Sequence, residues 1–355
     1  MNAIDLKGKT LQVPIIQGGM GVAVSLGNLA GHVMREGGMG VISAAHPGFR
    51  EPDFMTNNVA ANLRAIHQEI LKARTISEGK GLLGVNVMTA SRAYKEICTQ
   101  LAKEPIDVLI SGAGMPVDLP AYVEGSEVML APIVSSGKAA RLICTVWDKR
   151  YNRIPDFIVI EGPLAGGHLG FVKEDLNAHT EAGLEAILID VKKEVAVFET
   201  KYQRKIPLVA AGGIYTHEDI ESILSKGADA VQMATRFIGT FECDAAPEYK
   251  QAFIDCVQSD IGITVSPVGL PGRAIMNEFV RGLDGENHRV SKCTACLTPC
   301  NPAATPYCIT EALIQAVKGN VKEGLIFTGA NGYRIKTIVT VHQLMHELIT
   351  GDTDA

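Results

Sequence analysis

One histidine lies between glycines, in a setting where it would have room to act on a ligand. It belongs to Ala-Gly-Gly-His-Leu-Gly at residues 165–170, directly after the apolar run at residues 157–160. Glycines let another molecule approach the backbone closely, and an imidazole accepts or donates a proton near neutral pH. We therefore predict His168 as a catalytic acid or base. The competing interpretation is a buried, hydrogen-bonded structural histidine.

Two later segments carry groups that suit a phosphate. Ala-Ala-Gly-Gly-Ile lies at residues 210–214, and Ala-Thr-Arg lies at residues 234–236, each at the end of an apolar run. Backbone N–H groups at such turns bind phosphate oxygens. We predict that Gly212, Gly213, Ala234 and Thr235 form a phosphate site. Alternatively, these residues only make tight turns between strand and helix.

Three other polar or soft groups stand at predicted strand ends. Asn86, within Gly-Val-Asn-Val-Met at residues 84–88, offers an amide that donates and accepts hydrogen bonds at once. Met20 follows two glycines, and a methionine there either contacts a ligand or fills a gap in the core. Glu161 ends the sixth apolar run, where it would orient a ligand hydroxyl or cap a turn.

The elements that must position these groups repeat regularly. Apolar runs predict strands at residues 13–17, 39–43, 82–88, 106–111, 128–134, 156–161, 207–211 and 229–234. Amphipathic segments predict helices at residues 26–36, 57–74, 92–102, 138–147, 181–200 and 217–226. Near-continuous apolar strands indicate a parallel sheet buried on both faces. Eight such units over about 250 residues predict an α/β fold, a (β/α)8 TIM barrel.

An open, doubly wound sheet is the alternative architecture, although its early G-x-G-x-x-G signature is absent. In a barrel, the carboxyl ends of the strands meet at one rim, where active sites form. The barrel interpretation therefore brings the residues named above into a single site.

The chain changes character after about residue 260. We predict a barrel over residues 1–260 and a C-terminal extension over residues 261–355 that caps the barrel mouth. The extension holds four cysteines within 16 residues, at Cys293, Cys296, Cys300 and Cys308. Thiolates at such spacing hold zinc or an iron–sulfur cluster. The sequence does not separate these two metals, and unliganded thiols are the alternative.

Composition excludes several classes of protein. The chain has 355 residues, a net charge of -6 and 20% charged residues, without a basic block that would indicate nucleic-acid binding. Its start lacks a signal-peptide pattern, and no apolar run approaches the ~20 residues of a membrane span. We expect a cytoplasmic protein with small-molecule partners. The oligomeric state stays open, a homodimer included.

Taken together, the motifs resemble the nitronate monooxygenase family, also called 2-nitropropane dioxygenases. That family includes FMN-dependent enoyl-acyl-carrier-protein reductases of the same fold. The matching segments follow the family order, at residues 14–20, 37–40, 84–88, 112–116, 161–162, 165–170, 211–214 and 232–237. The resemblance implies a TIM barrel that holds one non-covalent FMN.

The resemblance also implies roles for individual residues. His168 matches the catalytic histidine of the family. Ala234 departs from the family, which often has glycine there, so its backbone angle must be an ordinary one. The residues implied to bind FMN are Gly19, Met20, Asn86, Glu161, Gly167, Ala211, Gly212, Gly213, Gln232, Ala234 and Thr235.

Three functions remain open at this point. The first is oxidation of alkyl nitronates with O2, which we prefer because it represents the broader family. The second is reduction of enoyl thioesters with NAD(P)H as the electron donor. His168 would serve either reaction as acid or base. The third is a non-catalytic barrel that uses its cysteines for metal or partner binding.

Overall fold

The computed structural model describes residues 1–179, 182–283, 290 and 292–352. Its strands are β1 Ile4–Leu6, β2 Lys9–Leu11, β3 Ile15–Gln17, β4 Met39–Ser43, β5 Leu82–Met88, β6 Val108–Gly112, β7 Met129–Val134, β8 Ile158–Glu161, β9 Gly167–His168, β10 Leu208–Ala211, β11 Ala230–Met233, β12 Ile261–Val265 and β13 Pro271–Ile275. Its α-helices are α1 Gly27–Arg35, α2 Asn58–Ser77, α3 Tyr94–Leu101, α4 Leu119–Tyr122, α5 Gly137–Tyr151, α6 Lys173–Ala178, α7 Leu184–Tyr202, α8 His217–Ser225, α9 Thr235–Ile238, α10 Pro247–Asp255, α11 Glu278–Arg281, α12 Ile309–Val317 and α13 Val341–Thr350. Short 3₁₀ turns lie at Pro47–Arg50, Gln258–Asp260 and Gly332–Arg334.

Within the described residues, eight parallel strands close into a barrel in the order β10, β11, β3, β4, β5, β6, β7, β8. These strands are the eight predicted from the apolar runs, so the predicted barrel is confirmed and the open sheet is wrong. The continuous apolar character follows from burial on both faces. Along β8, for example, Val159 points into the barrel core while Ile158 and Ile160 pack against the surrounding helices.

Two features outside the barrel were not predicted. β1 and β2 form an antiparallel hairpin, and its Leu6 and Leu11 are fully buried in the cluster that fills the barrel. At the opposite end, β12, β13 and β9 form an antiparallel three-stranded sheet in which Gly272 pairs with His168. A strand from the extension therefore holds the segment of the predicted catalytic histidine.

The extension has two different surroundings. β12 and β13 lie beside the mouth of the barrel, whereas α13 packs against α1, α8 and α9 on the outer ring. The boundary at residue 260 and the cap over residues 261–355 stay predictions. No helix in the described part of the chain is long and apolar enough to cross a membrane.

Candidate active site

A cavity of about 520 Å³ opens at the carboxyl ends of the barrel strands. Its wall brings together the residues predicted to bind a cofactor or to catalyse, although their chemical roles stay predictions. They are Gly19, Met20, Asn86, Glu161, Gly167, His168, Ala211, Gly212, Gly213, Gln232, Ala234 and Thr235. They meet because each one lies in the carboxyl-terminal part of a barrel strand or in the segment that follows it.

His168 lies in the cavity wall, in the short strand β9. Its Nε2 is 2.7 Å from Ser266 Oγ, and its ring meets Phe327 edge-on at 5.1 Å. Desolvation by the surrounding protein lowers the pKa of His168 to about 4. The imidazole is therefore neutral near pH 7 and is able to accept a proton.

Ser266 is a site residue that the sequence did not indicate. It lies between β12 and β13, is only 2% exposed, and accepts a hydrogen bond from the Val268 amide at 3.4 Å. A serine 98 positions away from the histidine carries no local motif. Only the pairing of β13 with β9 places the two side chains together.

Arg273 on β13 ties the extension to the rim of the barrel. Its guanidinium donates to the carbonyl oxygens of Pro163 and Ala165, at 2.6 and 2.5 Å, and the side chain is buried. These carbonyls belong to the turn that precedes His168. The arginine thus holds the backbone on which the histidine is mounted.

Glycine keeps the floor of the cavity flat. A Cβ at Gly19 would come within 2.5 Å of the Asn86 side chain, so no larger residue fits there without movement. Nearby, Oε1 of Gln232 is buried and has no hydrogen-bond partner among the residues that the structure describes. Buried acceptors are usually paired with a donor. An N–H group on a flat polar ligand would provide that donor.

The predicted phosphate turn has the backbone that close approach requires. Gly212 and Gly213 have φ of +93° and +90°, a region that side chains rarely adopt. Asn331 donates to the Gly213 carbonyl at 2.8 Å, so the extension braces this turn as well. Ala234 has φ of -121°, an ordinary value that accommodates its methyl group.

Cationic side chains stand near this end of the cavity. Tyr215, which lines the cavity, is stacked by Arg236 at 4.5 Å and by Arg334 at 4.1 Å. Arg236 also pairs with Glu347 at 2.5 Å. Glu347 offsets the charge of Arg236, so the positive charge at the Tyr215 ring is smaller than two free guanidinium groups would give.

Glu161 ends β8 inside the cavity. Burial raises the pKa of its carboxyl to about 7, opposed by the Gly170 amide, which donates to Oε2 at 3.4 Å, and by the charge of Arg273. The carboxyl is therefore partly protonated near neutral pH. The two interpretations from the sequence, a group that orients a ligand hydroxyl and a turn cap, did not include this protonation.

A second imidazole, His46, also lines the cavity. Its place in the loop after β4 offered no glycine motif, and the sequence had indicated no role for it. His46 reaches the cavity because the loop after a barrel strand lies at the same rim as His168.

The four cysteines of the extension lie outside the cavity wall. Cys293 is exposed and the other three are partly exposed, and all four are free thiols. Some donors face the sulfurs, such as Thr310 Oγ1 at 3.2 Å from Cys296 Sγ. The described residues nevertheless contain no group of three His, Cys, Asp or Glu side chains arranged to hold a metal ion. The predicted metal site therefore gains no support from the structure.

The chain is similar in sequence to one protein family and in fold to solved structures. The model of a family described as nitronate monooxygenase matches residues 4–351. FabK from Thermotoga maritima has a similar structure, with a TM-score of 0.73, 25% identity, and coverage of 97% of this chain and 93% of that one.

Two curated proteins are matched over a smaller share of their own length. A (3aS,4S,5R,7aS)-5-hydroxy-7a-methyl-1-oxo-octahydro-1H-indene-4-carboxyl-CoA dehydrogenase of Rhodococcus jostii is 24% identical over 274 residues, 77% of this chain and 65% of that protein. A probable nitronate monooxygenase of Bacillus subtilis is 25% identical over 199 residues, 56% of this chain and 52% of that protein. The chain thus spans between half and two thirds of these relatives.

Proposed function

This chain belongs to the nitronate monooxygenase family of oxidoreductases, and on that premise we propose that it is an FMN-dependent enzyme that oxidises alkyl nitronates with O2. The observation that carries the proposal is the position of His168, which lines the same cavity as the glycine turns suited to a phosphate. An acid or base and a cofactor site thereby share one space.

The residues present fit FMN. Gln232 Oε1, buried and unpartnered within the described part of the chain, suits an N–H or O–H donor of the cofactor, and the space at Gly19 suits a flat ring. Gly19, Met20 and Asn86 would hold the ring, with Glu161, Gly167, Ala211 and Gln232 around it. Gly212, Gly213, Ala234 and Thr235 would hold the phosphate. Bound FMN supplies acceptance of two electrons and reaction with O2.

His168 handles the proton in this scheme. A nitronate has already lost its α-carbon proton, so the neutral imidazole would accept that proton only from the parent nitroalkane, and in enoyl-thioester reduction it would return a proton to the α-carbon. Ser266 orients the ring through the bond to Nε2, and Phe327 packs against its edge. Groups of this kind contribute typically about 10²–10⁴-fold in rate.

The proposal is tested on freshly isolated protein by absorbance and metal analysis, followed by turnover with ethyl nitronate in air. We expect a yellow protein with one FMN per chain that consumes O2 and nitronate together. A colourless protein that does not take up FMN would contradict the proposal. Iron and zinc are measured on the same sample, which also examines the four cysteines.

NAD(P)H-dependent reduction of enoyl thioesters is the second candidate. The rim of the cavity favours it, since Leu164 lines the cavity and is 44% exposed. Such apolar surface suits an acyl chain, and the relative from Rhodococcus jostii is named for a CoA thioester. Mixing the yellow protein with NADPH or NADH without oxygen separates the two. Rapid bleaching of the flavin supports the reductase, and its absence supports the nitronate enzyme.

A further inference from the structure

His46 and His168 line one cavity and follow strands on opposite sides of the barrel. His46 follows β4 and His168 follows β8, and these strands lie four positions apart in either direction around the eight-stranded ring of described strands. Both side chains line the same cavity. A molecule bound at the centre of the mouth therefore lies between two imidazoles.

The tautomer of His46 follows from its neighbour on α2. The Gly48 amide donates to Asn62 Oδ1 at 3.0 Å, which turns the Asn62 Nδ2 toward His46 Nδ1, 3.3 Å away. An amide nitrogen only donates, so Nδ1 of His46 accepts. Burial lowers the pKa of His46 to about 4, so near pH 7 the ring is neutral and carries its proton on Nε2.

The Nε2–H group is a donor without an acceptor. Within the described residues no hydrogen bond to His46 Nε2 is present, while the opposite side of the ring is occupied by Asn62. Phe54 meets the ring edge-on at 5.6 Å and limits its rotation. His46 also borders a side cavity of about 340 Å³, so this residue stands where two cavities meet.

We propose that His46 binds an oxygen of the substrate, through Nε2–H, while His168 handles the proton at the substrate carbon. The ligand class is a small molecule with an anionic or carbonyl oxygen within two bonds of the carbon that reacts. A nitronate oxygen and a thioester carbonyl both meet this description. The inference rests on the proposed function, because it requires a substrate in the flavin cavity.

The test compares two uncharged, unbranched replacements, His46→Gln and His46→Met. Both residues share the strain of the left-handed backbone at position 46, where φ is 52°, but only glutamine donates a hydrogen bond. We expect His46→Met to raise the KM for ethyl nitronate, or for crotonyl-CoA, about tenfold or more. His46→Gln should stay within about threefold of wild type, and FMN affinity should change in neither variant.

Two results would overturn the inference. The first is equal KM values in the glutamine and methionine variants. The second is a loss of FMN affinity in the methionine variant, because the donor would then serve the cofactor. Failure of the proposed function would appear differently, as a wild-type protein that turns over neither substrate. In that case ¹⁵N NMR of labelled histidines still tests the tautomer of His46. A proton on Nδ1 would refute the assignment of Nε2–H as the donor.

Discussion

His168 and Ser266 are joined by a hydrogen bond of 2.7 Å between Nε2 and Oγ, although 98 residues separate them along the chain. The serine comes from the extension and the histidine from the rim of the barrel. The extension is therefore part of the proposed catalytic machinery, since it orients the group that handles the proton.

Replacing Ser266 by alanine should slow turnover without releasing the cofactor. A hydrogen bond of this kind is worth about 1–1.5 kcal/mol, which corresponds to about a tenfold loss in kcat. Steady-state kinetics and FMN titration measure the two quantities. Thr264→Val is the matched control, because Thr264 is buried in the same sheet. Equal losses in both variants would show that Ser266 is only structural.

His168→Ala should abolish most of the turnover while FMN remains bound. The loss expected for a general acid or base is about 10²–10⁴-fold. His67→Ala serves as the control, because His67 lies on α2 and pairs with Glu104 at 2.8 Å away from the cavity. Wild-type kcat/KM in the His168 variant would remove this residue from the mechanism.

Gly213→Asp should weaken FMN binding more than Gly213→Asn does. Both side chains experience the same backbone strain at φ +90° and the same contact with Leu164, at 3.0 Å from a Cβ. Only aspartate places a negative charge beside the proposed phosphate. The ratio of the two dissociation constants, from titration of the flavin-free variants with FMN, isolates that charge. A ratio near one would mean that the phosphate binds elsewhere.

Glu161→Gln should change how the stability of the flavin-free protein depends on pH. The pKa of Glu161 is raised from 4.5 to about 7, so the folded state binds the proton more tightly than the unfolded state. The contribution of this group to the free energy of unfolding therefore falls as pH rises from about 4.5 to about 7, by at most roughly 3 kcal/mol.

The glutamine variant has no carboxyl that titrates at position 161, so its free energy of unfolding does not fall for this reason. Relative to wild type, the variant should therefore become more stable as the pH rises from 5 to 8, as measured by urea unfolding. The comparison uses the difference between the two proteins because His46 and His168 act in the opposite sense: their pKa values are lowered, and their contribution rises with pH. Parallel pH curves for the two proteins would contradict the prediction.

The positions of the eight barrel strands could be predicted from the sequence because each strand corresponds to a local run of apolar residues. Each barrel strand is an apolar run, since alternate side chains enter the barrel core and the helix layer, as Val41 and Ile42 do. The hairpin of β1 and β2 was missed because its two three-residue strands are too short to show a pattern.

The sequence by itself determined which residue types stand at the carboxyl end of each strand, and hence that a histidine, an asparagine and the glycine turns share one rim. The tertiary structure decided which distant groups complete them: Ser266 beside His168, Asn62 beside His46, and Asn331 beside Gly213. The physical reason is that turns and strand periodicity depend on neighbours in the chain. A hydrogen bond between remote side chains depends on how the loops close, which no local pattern records.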